Sequence, residues 1–216
     1  MRYCEIVIAS SLLFSVNTAQ AGLINLIQNG DFESGNTLFS SDLVFDGTPG
    51  IDSDGYYAIG TNPNDWFSGW SSIGDHTTGT GKMLIATPSA PTKVWYQNVN
   101  VTAGENYTFS GWAVHVTTAN PASLLIKVAD TELGTLPLQD QDQGTWKSFS
   151  FSYSAPLSTM VTLSITDTQT TGFGNDFALD DLSFSYISNP AAIPEPASLA
   201  LLGIGLAGLG FARRRV

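Results

Sequence analysis

Residues 146–153 read Trp-Lys-Ser-Phe-Ser-Phe-Ser-Tyr, and their alternation is the clearest indication of the fold. Phe149, Phe151 and Tyr153 alternate with serines, so in a β-strand the aromatic rings share one face and the hydroxyls share the other. Residues 160–166 repeat this alternation with aliphatic side chains and with threonine or serine. Strands of this kind bury their apolar faces against each other, which predicts an all-β fold, an antiparallel β-sandwich.

Similar short segments, rich in β-branched and aromatic residues and separated by Gly, Pro, Asn and Asp, occur on both sides of this stretch. We predict strands at Ile24–Gln28, Leu43–Phe45, Tyr56–Ile59, Met83–Thr87, Val94–Val101, Tyr107–Val116, Leu124–Ala129, Trp146–Tyr153, Met160–Thr166 and Leu182–Ile187. The predicted domain spans residues 22–187, a length that suits a jelly roll of eight or more strands.

Composition excludes several classes of protein. The chain has 216 residues and a formal net charge of -11, whereas a nucleic-acid partner requires a basic surface. Its single Cys excludes a disulfide scaffold and a thiolate metal cluster. Its two His cannot supply a three-histidine metal site. The low charged fraction of 12% suits an extracellular β-protein.

The N-terminus has the features of a secretory signal peptide. Arg2 precedes the apolar run 6–16, and Ala19 and Ala21 place small residues before a cleavage point at Gly22. Residues 1–21 are therefore predicted to be removed by signal peptidase. The alternative, an uncleaved membrane anchor, is less consistent with the shortness of the apolar run.

The C-terminus predicts a membrane-spanning helix. After a linker at 188–193, the uncharged run Ala197–Ala212 would form a helix of about 24 Å, which spans a locally thinned bilayer. The three arginines that follow should remain cytoplasmic, which leaves the domain outside. A buried core helix is the alternative, but no further chain follows in the sequence to pack around it.

Residues 194–216 resemble a PEP-CTERM sorting signal. The features that carry the resemblance are Pro194, Glu195 and Pro196, the apolar helix, and Arg213, Arg214 and Arg215. The resemblance implies a Gram-negative bacterium that makes exopolysaccharide, and an exosortase that cuts near the Pro-Glu-Pro motif. It therefore implies transient anchoring in the inner membrane, followed by release or transfer to the cell surface.

The domain itself is similar to the galactose-binding-like jelly rolls, which include many carbohydrate-binding modules. The motifs that carry this resemblance are Asn25–Glu33, Gln97–Trp112, Gly144–Lys147 and Phe177–Phe184. In that family a structural Ca²⁺ ties the opening motif to the closing one. The residues at matching positions are Glu33 and Asp180, with Asp31 offering its carbonyl and Asp181 as a substitute ligand. Ca²⁺ prefers such hard oxygen ligands, and the alternative is that Asp31 and Asp181 are solvated turn residues.

Aromatic side chains are the main indication of a ligand. Trp112 and Trp146 lie on the hydroxyl-rich side of their predicted strands, and Tyr96 stands beside Asn98. Together with Trp70, they are the residues predicted to stack against sugar rings, although core packing is the alternative for each. The shortage of charge on this face favours a neutral glycan over a polyanion.

No nucleophile-elbow, zinc-protease or phosphate-loop motif occurs, so the protein is predicted not to be an enzyme. The expected function is that of an exported surface or extracellular-matrix protein that binds polysaccharide. Two alternatives stay open: a structural or adhesive protein without a sugar site, and a small glycoside hydrolase with paired carboxylates.

Overall fold

The computed structural model describes residues 21–50, 53–89, 91–188 and 203–205. Contacts identify residues Leu23–Ile187 as one compact unit. Within the described ranges, no helix has the length and apolar character needed to cross a membrane. Ala19, the Pro-Glu-Pro motif, the terminal arginines and most of the predicted helix 197–212 lie outside these ranges, so their structural roles stay predictions.

Eleven strands occur in the described part of the chain, and we number them in chain order. They are β1 (Gly22–Asn25), β2 (Val44–Phe45), β3 (Tyr56–Gly60), β4 (Met83–Thr87), β5 (Thr92–Val101), β6 (Asn106–His115), β7 (Ser123–Val128), β8 (Thr131–Pro137), β9 (Lys147–Ser154), β10 (Thr159–Asp167) and β11 (Phe177–Ser188).

The strands form two sheets that pack as a sandwich. Sheet A has the order β2-β3-β4-β11-β6-β9, with β1 also paired to β11, and sheet B has the order β5-β10-β7-β8. Along these two paths every pairing is antiparallel except that of β2 with β3. Side chains from both sheets meet in the core, where the rings of Trp95 and Phe109 lie 6.1 Å apart. The predicted antiparallel β-sandwich is confirmed.

The predicted alternation along β9 is also confirmed. Phe149 is buried in the core, whereas its neighbours Ser148 and Ser150 are exposed. On β10, Leu163 and Ile165 are likewise fully buried. The period-2 pattern therefore identified correctly which face of each strand packs inward.

One expectation about the sheet faces is wrong. All five residues of β4 are buried, because Leu84 and Ala86 point into the main core while Met83 and Ile85 pack into a second cluster. This second cluster lies on the opposite face of sheet A and includes Trp66 and Trp70. The connection between β3 and β4 therefore covers part of a face that we expected to be hydroxyl-rich and solvated.

Strand β8 was missed because its sequence does not resemble a buried strand. It contains a glutamate, a glycine and a terminal proline, and four of its seven residues are exposed. As the last strand of sheet B it pairs only with β7, a position in which charge and proline are tolerated. Gly134 is required by packing, since a Cβ there would lie 2.3 Å from the Phe151 ring.

Candidate functional site

The residues predicted to bind metal lie together in the structure. One pocket of about 440 Å³, which we call the acidic pocket, is lined by Asp31, Glu33, Asp75, Asp180 and Asp181, with Thr and Gly residues of the segment 77–81. Four of these carboxylates are the predicted ones, and Asp75 was not singled out in the sequence.

A close backbone contact brings the two ends of the domain together here. The Leu182 N–H donates to the Gly30 carbonyl at 2.9 Å. The register of β11 shifts between Asp180 and Ser183, and Asp181 has a positive φ of 51°. This irregularity interrupts the pairing of β11 with β6. It places Asp180 and Asp181 beside the opening loop, which we define as residues 26–43.

Backbone N–H groups of the segment 74–82 donate to the carboxylates of the acidic pocket. The pairs are His76 to Asp180 at 2.8 Å, Gly81 to Asp75 at 2.7 Å and Lys82 to Glu33 at 2.6 Å. Among the residues that the structure describes, no three His, Cys, Asp or Glu side chains are close enough to hold one metal ion. Ligation by three of these carboxylates therefore requires side-chain movement.

Asp180 is the most perturbed carboxyl group of the acidic pocket. Burial, opposed by the hydrogen bond from the His76 N–H and reinforced by the neighbouring charges of Asp181 and Asp75, raises its pKa to about 7. Only 1% of the residue is exposed. Ionised carboxylates are thus crowded here in a way that a bound cation would relieve.

The predicted tryptophan platform is not an open surface. The His76 ring stacks on Trp112 with a centroid distance of 3.8 Å and an interplanar angle of 18°. It also meets Trp146 edge-on at 5.9 Å, and the Trp146 N–H donates to the Gly74 carbonyl at 3.3 Å. One face of Trp112 is therefore occupied by the β3–β4 connection.

Tyr96 lies on β5 in sheet B and is not brought together with these tryptophans of sheet A. It borders an open groove of about 450 Å³, which we call the Tyr96 groove. The groove is lined by Leu26, Gln28, Leu38, Phe39, Ser40, Tyr96, Gln97, Asn98, Val99 and Asn100. One face of the Tyr96 ring is approached by Lys93, whose Nζ lies 4.7 Å from the ring centroid.

A buried amide fixes the walls of the Tyr96 groove. The Gln97 side chain accepts from the Gln28 N–H at 2.9 Å and donates to the Gln28 carbonyl at 3.0 Å. On the other side, Ser40 and Tyr96 exchange two backbone hydrogen bonds of 3.0 and 2.9 Å. The groove is thus held by bonds from β5 to two points of the connection between β1 and β2.

Trp70 lies in a third place, at a pocket of about 140 Å³ that we call the Asp176 pocket. It is lined by Asp54, Phe67, Trp70, Thr87, Thr117, Phe173, Gly174 and Asp176. Trp70 itself is 9% exposed and belongs to the second cluster, whereas Phe67 and Phe173 are 42% and 76% exposed. Burial raises the pKa of Asp176 to about 6, and the charge of Asp54 contributes, while hydrogen bonds from the Thr87 and Trp70 side chains oppose the rise.

Sequence reasoning did not identify Asp176 or Phe173 as site residues. The signal for Phe173 was available, since a lone aromatic in the polar segment Gln169–Asn175 has no apolar neighbours with which to form a strand face. No comparable signal existed for Asp176, whose burial depends on the packing of Trp70 and Thr87 around it.

Comparison with known proteins identifies the tail and the fold. Residues 192–215 match the PEP-CTERM protein-sorting motif, which confirms the predicted resemblance and indicates an exported protein sorted at the cell envelope. A sequence comparison with curated proteins found no match.

Solved structures share the sandwich at low sequence identity. The CBM22-1 xylan-binding domain of Paenibacillus barcinonensis Xyn10C is 14% identical, with a TM-score of 0.51 over 80% of this chain and 99% of that one. The Stig cyclase Fisc from Fischerella sp. TAU is 12% identical, with a TM-score of 0.53 over 76% of this chain and 98% of that one. At this identity the likeness shows the fold alone, so the chain carries a PEP-CTERM sorting motif and a β-sandwich of the kind found in carbohydrate-binding modules.

Proposed function

We propose that the protein is an exported, non-catalytic surface or matrix protein that binds a neutral polysaccharide in the Tyr96 groove. The observation that carries this proposal is the lining of the groove, in which every side chain is uncharged. An aromatic ring beside Gln and Asn amides offers a sugar both an apolar face and hydrogen-bond partners. Its volume of about 450 Å³ lies in the range of ligand pockets.

The comparisons support this proposal without carrying it. A sandwich shared with a xylan-binding domain is compatible with sugar binding, but the same fold also occurs in a cyclase. The sorting motif adds that the protein reaches the cell envelope, where polysaccharides are abundant.

Replacing Tyr96 by alanine tests the groove. We expect Tyr96→Ala to weaken binding of a neutral oligosaccharide by about tenfold, because stacking contributes on the order of 1 kcal/mol and the apolar contact is lost as well. Isothermal titration calorimetry on the purified protein measures the change. Leu157→Ala, at a 69% exposed position on a different loop, is the matched surface control and should bind as the wild type does.

The substitution Trp112→Ala distinguishes sugar binding in the Tyr96 groove from sugar binding at Trp112 and Trp146, which the sequence predicted. Since His76 covers one face of Trp112, we expect a lower melting temperature and unchanged sugar affinity. Loss of binding by Trp112→Ala with the fold intact, together with normal binding by Tyr96→Ala, would move the sugar site to the tryptophans.

A structural or adhesive role without a sugar site is the second candidate, and one observation favours it. Ser148, Ser150, Ser152 and Ser154 are all exposed along β9, so the last strand of sheet A presents a row of hydroxyl groups. Trp112 and Trp146 do not rise above this surface as an open pair. A protein that retains its fold and binds no glycan would fit this role.

Export and sorting are proposed from the two ends of the sequence. We infer that signal peptidase cleaves before Gly22 and that an exosortase of a Gram-negative host then cuts near Pro194–Pro196, after transient anchoring in the inner membrane. The matching of residues 192–215 to the sorting motif supports the second step.

Intact-mass measurement of the released protein checks this sorting. We expect a chain that begins at Gly22 and lacks Arg213–Arg215, because the arginines follow the membrane segment. Replacing Pro194, Glu195 and Pro196 together by alanine should abolish release. Released wild-type protein that retains the arginines would contradict exosortase processing.

The acidic pocket is proposed as a structural Ca²⁺ site. Its donor set fits the ion, since all five acidic side chains offer the hard oxygen ligands that Ca²⁺ prefers. Glu33 and Asp180 would provide ligands from the opening loop and from β11, with Asp31 and Asp181 beside them. A bound cation would stabilise the ionised form of Asp180, which burial and the charges of Asp181 and Asp75 disfavour, and would tie the ends of the domain together.

A further inference from the structure

The Asp176 pocket holds a buried acid among aromatic rings. Only 6% of Asp176 is exposed, and it lines the pocket together with Asp54, which is exposed. The rings of Phe67 and Trp70 lie 5.7 Å apart at 59°, and Phe173 forms another part of the wall. This arrangement is separate from the Tyr96 groove and from the acidic pocket, with which it shares no lining residue.

The two acidic residues of the Asp176 pocket are not balanced by a positive charge in the lining of the pocket. None of its eight lining residues, all of them in the described part of the chain, is basic. Buried carboxylates in proteins are ordinarily paired with a cation, because desolvation makes an isolated charge costly. The Thr87 hydroxyl donates to Asp54 at 3.4 Å, and this neutral donor leaves the charge of the two carboxylates uncompensated.

The walls favour an organic cation over a metal ion. An ammonium group gains attraction from the faces of Trp and Phe rings when it lies within about 6 Å of them. Ca²⁺ instead requires six to eight oxygen ligands, whereas the two carboxylates here share the pocket with three aromatic side chains. The volume of about 140 Å³ admits one small group and no run of sugar rings.

We propose that the Asp176 pocket binds the ammonium group of an amine-bearing sugar, of the glucosamine class. Asp176 and Asp54 would pair with the amine, and Phe67 and Phe173 would contact the sugar ring from the exposed side. The choice of a sugar as the carrier of the amine rests on the proposed function. The site itself is distinct from the neutral-glycan groove.

Titration of the purified protein with single sugars tests this site. At pH 7 we expect D-glucosamine to bind, and N-acetylglucosamine and glucose to bind at least tenfold more weakly because they lack the positive charge. Asp176→Asn keeps the shape of the side chain and should reduce glucosamine affinity at least tenfold. Asp130→Asn, on an exposed turn, is the matched control and should bind as the wild type does.

Failure of this inference can be distinguished experimentally from failure of the proposed function. Tyr96→Ala should retain glucosamine binding, so loss of neutral-glycan binding alone leaves this inference standing. If Asp176→Asn lowers the melting temperature too far for titration, Phe173→Ala serves instead, since its 76% exposed ring carries little of the fold and should weaken glucosamine binding. Equal affinity for glucosamine and N-acetylglucosamine would overturn the proposal. Tighter binding of lysine methyl ester than of glucosamine would also overturn it, in favour of a protein lysine as the occupant.

Discussion

Gly30→Ala is expected to destabilise the protein by at least about 3 kcal/mol, the largest effect that we expect from a single substitution. A Cβ on residue 30 would lie 2.0 Å from the Leu182 carbonyl oxygen and 2.9 Å from its carbon. Both neighbours are backbone atoms of β11, so no side-chain rotation relieves the clash. The opening loop would have to move away from β11. The carboxylates that these two segments contribute to the acidic pocket would then move apart. Chemical denaturation of the purified protein measures the free energy of unfolding.

Gly35→Ala is the matched control for this substitution. Gly35 lies in the same opening loop with a positive φ of 75°, but a Cβ there meets nothing within 4 Å. Its replacement should therefore cost only about 1 kcal/mol of backbone strain. Equal effects at the two glycines would show that the contact between Gly30 and Leu182 does not join the ends of the domain.

Calcium is expected to raise the melting temperature of the protein. An ion that binds only the folded state at 100 times its Kd contributes about 2.7 kcal/mol, which corresponds to roughly 5–10 °C for a domain of this size. Differential scanning calorimetry with and without chelator measures the shift. Glu33→Gln and Asp180→Asn should remove it, whereas Asp65→Asn, which lies outside the acidic pocket, should not. A wild-type melting temperature that is the same in chelator and in calcium would contradict the site.

The pH dependence of stability should accompany this effect. The pKa of Asp180 is raised from 3.8 to about 7, so the folded state retains a proton that the unfolded chain releases near pH 4. In chelator, stability should therefore fall as pH rises from about 4 to about 7. Asp176 contributes in the same direction up to about pH 6. Asp180→Asn should flatten this fall in part, and calcium should reduce it in the wild type, because the ion stabilises the ionised carboxylate.

The fold could be predicted because the strands report their environment directly. Phe149 and Leu163 face a core that every sandwich must fill, so their alternation with serine and threonine is unambiguous. Strand β8 and the second cluster could not be predicted in this way. The first depends on an edge position, and the second depends on where the connection carrying Trp66 and Trp70 folds back, which is a long-range property.

The candidate site residues also fall into those that sequence motifs predict and those that depend on long-range folding. Glu33 and Asp180 were matched by resemblance to motifs at the two ends of the domain, and the structure places both in one pocket. Asp75 was not found, because it reaches that pocket only through the path of the β3–β4 connection. Trp112 was expected to be an exposed ring, because alternation along a strand shows only on which face a side chain lies. The His76 ring covers Trp112 from the same β3–β4 connection, whose path the alternation does not reveal.

A glycan array probed with the purified protein and with Tyr96→Ala tests whether the Tyr96 groove binds neutral polysaccharide. We expect the wild type to bind one or more neutral glycans, and Tyr96→Ala, with an unchanged melting temperature, to lose that signal. Absence of binding to every neutral glycan by the folded wild type, or equal binding by Tyr96→Ala, would contradict this expectation.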